Sequence, residues 1–135
     1  MASSILVVDD DVPVRSVICD LLKELDYHPV PAANGVEAVV LFDSMGPENF
    51  EGVIVDLIMP EMSGRELVEN IRKRREDLAI ILCTGHPSLL LGRSNCADLG
   101  FDALIAKPFM LENFRRTFLS AMQNHMAGGE SPAVA

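Results

Sequence analysis

The sequence is poor in cysteine and aromatic residues and lacks any long apolar run. Its 135 residues include three cysteines, one tyrosine and no tryptophan. Three is an odd number and no cysteine forms a CxxC pair, so free thiols are predicted rather than a disulfide framework. No apolar run approaches the roughly 20 residues of a membrane span, and the start of the chain lacks the features of a signal peptide. We therefore expect no membrane partner and a cytoplasmic location.

Basic residues are also few: 11 Lys and Arg stand against 20 Asp and Glu, giving a formal net charge of −9 at pH 7. Because binding to nucleic acid phosphates needs clustered Lys and Arg, we expect no direct nucleic acid binding. The one basic cluster, from Arg72 to Arg75, falls at the end of a helical pattern. There it would complement the helix dipole and be solvated. The excess of acid is compatible with a cationic partner, including a metal ion.

Short apolar segments alternate with helical periodicity along most of the chain. A helical pattern follows each predicted strand, including one over about 88–99. Apolar strands separated by amphipathic helices predict a parallel sheet covered on both faces. Five such units fit an α/β fold of the flavodoxin-like type, a doubly wound five-stranded parallel sheet with strand order 2-1-3-4-5. The predicted strands are Ser4–Val8, His28–Ala32, Glu51–Asp56, Leu78–Thr84 and Phe101–Lys107.

The chain length suits a single domain, which we place at residues 1–126. The remaining segment, 127–135, is rich in Gly, Pro and Ser for its length and is predicted to be a disordered tail.

Polar residues stand at the ends of the predicted strands. Asp9 and Asp10 follow the first strand and Asp56 ends the third, whereas Thr84 and Lys107 end the fourth and fifth. Ligands of doubly wound sheets bind at the carboxyl ends of the strands, at the point where the strand order reverses. We therefore expect these five residues to converge at one edge of the sheet.

The three carboxylates indicate a metal site. Acids crowded together are stable only when a cation neutralises them, and Mg²⁺ prefers one or two carboxylates together with waters and a phosphate. Asp9, Asp10 and Asp56 are therefore predicted to bind Mg²⁺. The neighbouring Asp11 is predicted to cap the following helix or to lie in its first turn.

A carboxylate beside Mg²⁺ can also act as a nucleophile toward phosphorus. Phosphoryl transfer requires positive charge and hydrogen-bond donors around the equatorial oxygens of the phosphoryl group. Lys107 and the hydroxyl group of Thr84 can supply both. The five polar residues at the strand ends therefore predict that one of the aspartates is phosphorylated.

Four motifs resemble those of a known family: VVDDD, DLIMPEMSG, ILCTG and AKPF. From Ser4 to about Asn124 the chain resembles the receiver domain of two-component response regulators. The resemblance implies a histidine kinase or phosphotransfer protein as phosphodonor, and a conformational switch that signals to an unknown downstream protein. It implies a phosphoacceptor that assists its own phosphorylation and autodephosphorylation, not an enzyme in the usual sense. The segments CTGH and LIAKPF are similar to receivers attached to hybrid sensor histidine kinases.

The resemblance also implies roles for single residues. It implies a cis bond between Lys107 and Pro108, and a space for the phosphoryl group at Gly85. Leu104 stands where the family often has Tyr or Phe, so we expect weaker coupling between the site and the signalling face. The implied site consists of Asp56 as phosphoacceptor, Asp9, Asp10, Asp56 and the backbone carbonyl of Ile58 as Mg²⁺ ligands, and Thr84 and Lys107 as contacts of the phosphoryl group.

Two alternatives stay open on the sequence. In a haloacid-dehalogenase-like phosphohydrolase, Asp9 would be the nucleophile and Asp11 the acid, but that family has Thr or Val at Pro13, and Asp56 would have no role. In a pseudo-receiver, a pure interaction module, acidic or lysine positions would be missing, and none is missing here. The sequence leaves open the cognate kinase, the oligomeric state, and whether the domain stands alone or belongs to a longer protein.

Overall fold

The computed structural model describes residues 3–85, 101–126 and 133–134. The helix predicted over about 88–99 lies outside these ranges. No helix within them is long and apolar enough to cross a bilayer. The strands are β1 (Ser3–Val8), β2 (Tyr27–Ala32), β3 (Phe50–Val55), β4 (Ala79–Thr84), β5 (Ala103–Ala106) and β6 (Ala133–Val134), and the helices are α1 (Val12–Glu24), α2 (Gly35–Met45), α3 (Gly64–Arg74) and α4 (Leu111–Met126), with a 3-10 turn at Pro47–Asn49.

The strands form one parallel sheet in the order β2-β1-β3-β4-β5-β6. The first five have the predicted order 2-1-3-4-5, so the flavodoxin-like sheet is confirmed. β2 contains Pro29 and Pro31 and lies at one edge, where proline is tolerated because one side of the strand needs no hydrogen-bond donor.

At the opposite edge, the two residues of β6 pair with β5: Ala133 lies opposite Ala103, and Val134 opposite Leu104. Both residues belong to the tail that is predicted to be disordered, and the structure pairs them with the sheet instead. The other residues of 127–135 lie outside the described ranges, and for them disorder stays a prediction.

Two apolar clusters cover the two faces of the sheet. Successive residues of a strand face opposite sides, so Leu6 and Val8 of β1 pack in a cluster with residues of α2 and α3. Ile5 and Val7 pack in the other cluster, with residues of α1 and α4. Because helices cover both faces, the five consecutive positions from Ser4 to Val8 of β1 are buried, which explains the unbroken apolar run in the sequence.

Side-chain caps determine where the helices begin next to the carboxyl edge of the sheet. Asp11 caps α1, as predicted: its Oδ1 accepts a hydrogen bond from the amide of Val14 at 3.2 Å. α3 begins with a capping box in which Ser63 and Glu66 exchange side-chain and backbone hydrogen bonds. α1 starts four residues after the end of β1, and Gly64 at the start of α3 lies against the backbone of Asp56, just after β3.

The basic cluster at the end of α3 is less solvated than predicted. Arg75 donates hydrogen bonds from Nη1 to the carbonyl oxygens of Pro47 and Phe50. Arg72 donates from Nη1 to the carbonyl oxygen of Leu78 at 2.5 Å. These two arginines tie the starts of β3 and β4 to α3, and for them the prediction of a solvated side chain is wrong.

Candidate functional site

The hydrogen bonds of the sheet continue for one residue beyond the strands. The amide of Asp56, just after β3, donates to the carbonyl oxygen of Val8 at 3.1 Å. The amide of Lys107, just after β5, donates to the carbonyl oxygen of Thr84 at 2.8 Å. The first residue after each strand is therefore held in register with the neighbouring strand, and the polar side chains are brought to one edge as predicted.

Three carboxylates meet at this edge. Asp9, Asp10 and Asp56 each offer an oxygen, and these three oxygens lie within 4.8 Å of one another. Asp9 is only 1% exposed and Asp56 only 7%, whereas Asp10 is exposed. The structure thus joins two buried acids and one solvent-facing acid in a single cluster.

Lys107 neutralises part of this cluster. Its Nζ donates hydrogen bonds to Asp9 Oδ2 at 2.7 Å and to Asp56 Oδ2 at 3.1 Å. Burial alone would lower the pKa of Lys107, but the hydrogen bond to Asp9 and the charges of the two acids outweigh it. The pKa of Lys107 is therefore raised above its usual value of 10.5.

Both carboxylate oxygens of Asp9 accept hydrogen bonds. Its Oδ1 accepts a hydrogen bond from the amide of Asp11 at 2.9 Å, and its Oδ2 accepts one from Lys107. Burial nevertheless raises the pKa of Asp9 above its usual value of 3.8, because the desolvation of the carboxylate outweighs these hydrogen bonds. The cluster is accordingly short of positive charge.

The composition of the cluster fits a divalent cation. Lys107 contributes one positive charge to three carboxylates when all of them are ionised, which leaves about two negative charges. The donors are all oxygen atoms, and one acid faces solvent, so waters can complete a coordination shell. Such a donor set suits Mg²⁺ better than a softer metal.

The other predicted site residues lie around the three acids. Thr84 is fully buried at the end of β4, next to Lys107 through the backbone hydrogen bond. The amide of Ile58 donates to Asp56 Oδ1 at 3.2 Å, while its side chain is 46% exposed. Among the residues that the structure describes, and apart from its chain neighbours, a Cβ on Gly85 would come no nearer to any atom than 4.0 Å, the distance to Lys107 Cβ. The Lys107–Pro108 peptide bond is cis, as predicted.

Two residues near the site have contacts that the sequence did not predict. A Cβ on Gly64 would lie 2.2 Å from the carbonyl oxygen of Asp56, so the loop after β3 can close only over a glycine. Arg15 of α1 donates from Nη1 to the carbonyl oxygen of Asp9 at 2.6 Å. Its position four residues after the helix cap Asp11 is the available signal, because such a residue points back over the preceding turn.

A shallow apolar cavity of about 510 Å³ lies beside Lys107. The start of α1 and the segment from Pro108 to Leu111 form its walls. Leu111, which lines the cavity, is 59% exposed, and its chain neighbour Met110 is 72% exposed. An exposed apolar surface of this kind is suited to contact with another protein.

A family model described as the response regulator receiver domain matches residues 5–118. The chain is 35% identical over 127 residues to histidine kinase P4 of Formosa agariphila. This match covers 92% of the chain and 9% of the kinase. It is 34% identical over 136 residues to the response regulator MprA of a Mycobacterium species, which covers 99% of this chain and 57% of MprA. The chain therefore spans less than two thirds of the length of either relative.

Among solved structures, the fold is similar to that of the response regulator protein TrrA of Thermotoga maritima, determined in complex with Mg(2+)-BeF. The TM-score is 0.76 at 34% sequence identity, and the match covers 90% of this chain and 99% of TrrA.

Proposed function

The chain belongs to the family of response regulator receiver domains, and from that premise we propose that Asp56 accepts the phosphoryl group in this protein. Family membership confirms the resemblance indicated by the four sequence motifs. It makes the chain a receiver domain of two-component signal transduction rather than a classical enzyme. The observation that carries the proposal is the contact of Lys107 with Asp56 Oδ2, beside the carboxylates of Asp9 and Asp10.

Asp56 is better suited than Asp9 to act as the nucleophile. The two oxygens of Asp9 accept hydrogen bonds of 2.9 and 2.7 Å, and the residue is 1% exposed. The hydrogen bonds to Asp56 are longer, at 3.2 and 3.1 Å, and the residue is more exposed, at 7%. This difference opposes the haloacid-dehalogenase-like alternative with Asp9 as nucleophile, which the comparisons with known proteins do not support either.

The residues around Asp56 have complementary roles in the proposal. Asp9, Asp10, Asp56 and the backbone carbonyl of Ile58 would hold Mg²⁺, which when bound neutralises negative charge on the acids and the phosphoryl oxygens. TrrA, with its Mg(2+)-BeF ligand, supports this cofactor.

Lys107 and Thr84 act on the phosphoryl group itself. The ammonium of Lys107 balances the charge of one phosphoryl oxygen, and the Thr84 hydroxyl donates a hydrogen bond to another. Gly85, which has no side chain, would leave space beside Lys107 for the group. The phosphorylated domain also assists its own dephosphorylation in this proposal.

The phosphodonor would be a histidine kinase or a phosphotransfer protein in the cytoplasm. The apolar cavity beside Lys107 supports docking of such a donor, because Lys107 lines the cavity and also donates a hydrogen bond to Asp56. The phosphorylated domain would then signal to a downstream protein, without binding nucleic acid itself; the net charge of −9 supports the last point.

The test is phosphorylation by acetyl phosphate in the presence of Mg²⁺, followed by measurement of acid-labile phosphate on the protein. Asp56→Asn should abolish incorporation, whereas the control Asp11→Asn, at the helix cap, should be phosphorylated like the wild type. Incorporation by Asp56→Asn at the wild-type level would refute the assignment. Mapping of the phosphate to Asp9 in the wild type would favour the hydrolase alternative.

A further inference from the structure

Arg15 binds the turn between β1 and α1 through both its main chain and its side chain. Its amide donates to the carbonyl oxygen of Asp11 at 2.9 Å, as in any helix. Its guanidinium also reaches back, and Nη1 donates to the carbonyl oxygen of Asp9 at 2.6 Å. This second hydrogen bond is part-buried and spans six residues, so it closes the turn from the helix side.

Asp10 lies in the middle of this closed turn. Asp9 is fixed by the guanidinium of Arg15 and by the amide of Asp11, and Asp11 is fixed as the cap of α1 through Val14. Asp10 itself is exposed, and none of the hydrogen bonds within the described part of the chain involves its side chain. The position of its carboxylate is therefore set by the backbone on either side.

We propose that Arg15 is a positioning residue for Mg²⁺ binding: by fixing the carbonyl of Asp9, it holds the Asp10 carboxylate close to those of Asp9 and Asp56. The inference rests on the proposed function, because it requires that these acids bind Mg²⁺. Arg15 carries a positive charge, which by itself opposes the binding of a cation nearby. Its positioning effect and its charge effect thus have opposite signs, and a measurement of affinity can separate them.

The experiment measures Mg²⁺ affinity by calorimetric titration and unfolding by urea without Mg²⁺. In Arg15→Met, the turn loses its side-chain hydrogen bond, and the Mg²⁺ Kd should rise about tenfold, as for other residues that orient metal ligands. Arg15→Lys should recover part of the affinity, because its ammonium can donate to the same carbonyl. The control Lys23→Met removes the same charge from the exposed other end of α1 and should leave the Kd unchanged.

A double-mutant cycle tests the route through Asp10. If Arg15 acts through Asp10, then adding Arg15→Met to Asp10→Ala should change the remaining Mg²⁺ affinity little. Should Arg15→Met fail to fold, Arg15→Gln, whose side chain is too short to reach the carbonyl, carries the same expectation.

Three results would contradict the inference. Equal or tighter Mg²⁺ binding by Arg15→Met would mean that charge dominates. A loss confined to the free energy of unfolding would mean a purely structural role. An equal loss of affinity in the presence and absence of the Asp10 carboxylate would mean that Arg15 does not act through Asp10. A wild-type protein without measurable Mg²⁺ binding would instead overturn the proposed function.

Discussion

Lys107 and Asp9 form a 2.7 Å ion pair although they are 98 residues apart in the sequence. Their side chains are 15% and 2% exposed, so both charges are largely removed from water. Desolvation of two charges is costly and is offset only when the geometry is good and further partners are present. Here Asp56 supplies a second carboxylate for the same ammonium. The pair therefore holds the ends of β1, β3 and β5 together when no metal ion is bound.

Replacing Lys107 by methionine should destabilise the metal-free domain by about 2 kcal/mol, because two buried carboxylates lose their cation. We expect Mg²⁺ to bind only the folded state, and therefore to recover more stability in this variant than in the wild type. Urea unfolding with and without Mg²⁺ measures both effects. Lys73→Met, at the exposed end of α3, is the control and should change neither quantity by much. Identical unfolding curves for wild type and Lys107→Met would disprove the counter-ion role.

The contribution of Lys107 to the stability of the folded domain should depend on pH in the alkaline range. Its pKa in the folded state is raised above 10.5, so folding favours the protonated form. The stability it contributes is fully present below pH 10.5 and is lost as pH rises through the folded-state pKa.

The measurement is the difference in unfolding free energy between wild type and Lys107→Met from pH 8 to about pH 12. Burial also raises the pKa of Cys83, to about 12, and that of Tyr27 above 10.0, so the wild-type curve alone does not isolate Lys107. A difference that grows with pH would contradict the sign of the linkage.

Asp10 and Asp11 are adjacent acids, but their replacement by alanine should change the stability of the metal-free domain in different directions. Asp10→Ala removes a predicted metal ligand and relieves repulsion, so Mg²⁺ affinity should fall more than about tenfold while metal-free stability stays equal or rises. Asp11→Ala removes the cap of α1 and should cost about 1 kcal/mol of stability. Because the cap also helps to fix the turn that holds Asp10, Mg²⁺ affinity should fall as well, but by less than in Asp10→Ala. Calorimetric titration and urea unfolding distinguish the two. Wild-type affinity in Asp10→Ala would exclude Asp10 as a ligand.

Much of the fold follows from local sequence signals. β1 and β4 are unbroken apolar runs, and their observed bounds differ from the predicted ones by one residue at the amino-terminal end. Strand order then follows from the handedness of parallel connections, and the order places the acids and Lys107 at one edge. The convergence of these residues could therefore be predicted from the sequence alone.

The contacts of the arginines could not be predicted in the same way. Arg75 binds the carbonyl oxygens of Phe50 and Pro47, which are 25 and 28 residues away. No sequence pattern indicates such partners, because every residue has the same backbone carbonyl whatever its side chain. The hydrogen bond from Arg15 to Asp9 is local, yet the pattern of α1 gives only the direction of Arg15 and not its acceptor.

The lifetime of the phosphorylated state should depend on the side chain of Ile58. The amide of Ile58 binds Asp56 Oδ1, so this residue is held next to the proposed phosphoacceptor, and its side chain is 46% exposed. An apolar side chain at the site cannot orient an attacking water by hydrogen bonding, and orientation of the water is a main requirement for hydrolysis of a phosphoryl group. The wild-type protein should therefore lose its phosphate slowly.

Ile58→Asn introduces a donor and an acceptor at this exposed position and should speed the decay several-fold. Ile58→Leu keeps the apolar character and is the matched control, so its decay should follow that of the wild type. The measurement is the loss of acid-labile phosphate over time, after removal of the phosphodonor and at fixed Mg²⁺ concentration. Because the Ile58 amide, not its side chain, contacts Asp56, neither change should alter Mg²⁺ affinity by much. If the Asn and Leu variants decay at the same rate, Ile58 does not control the access of water to the phosphoryl group.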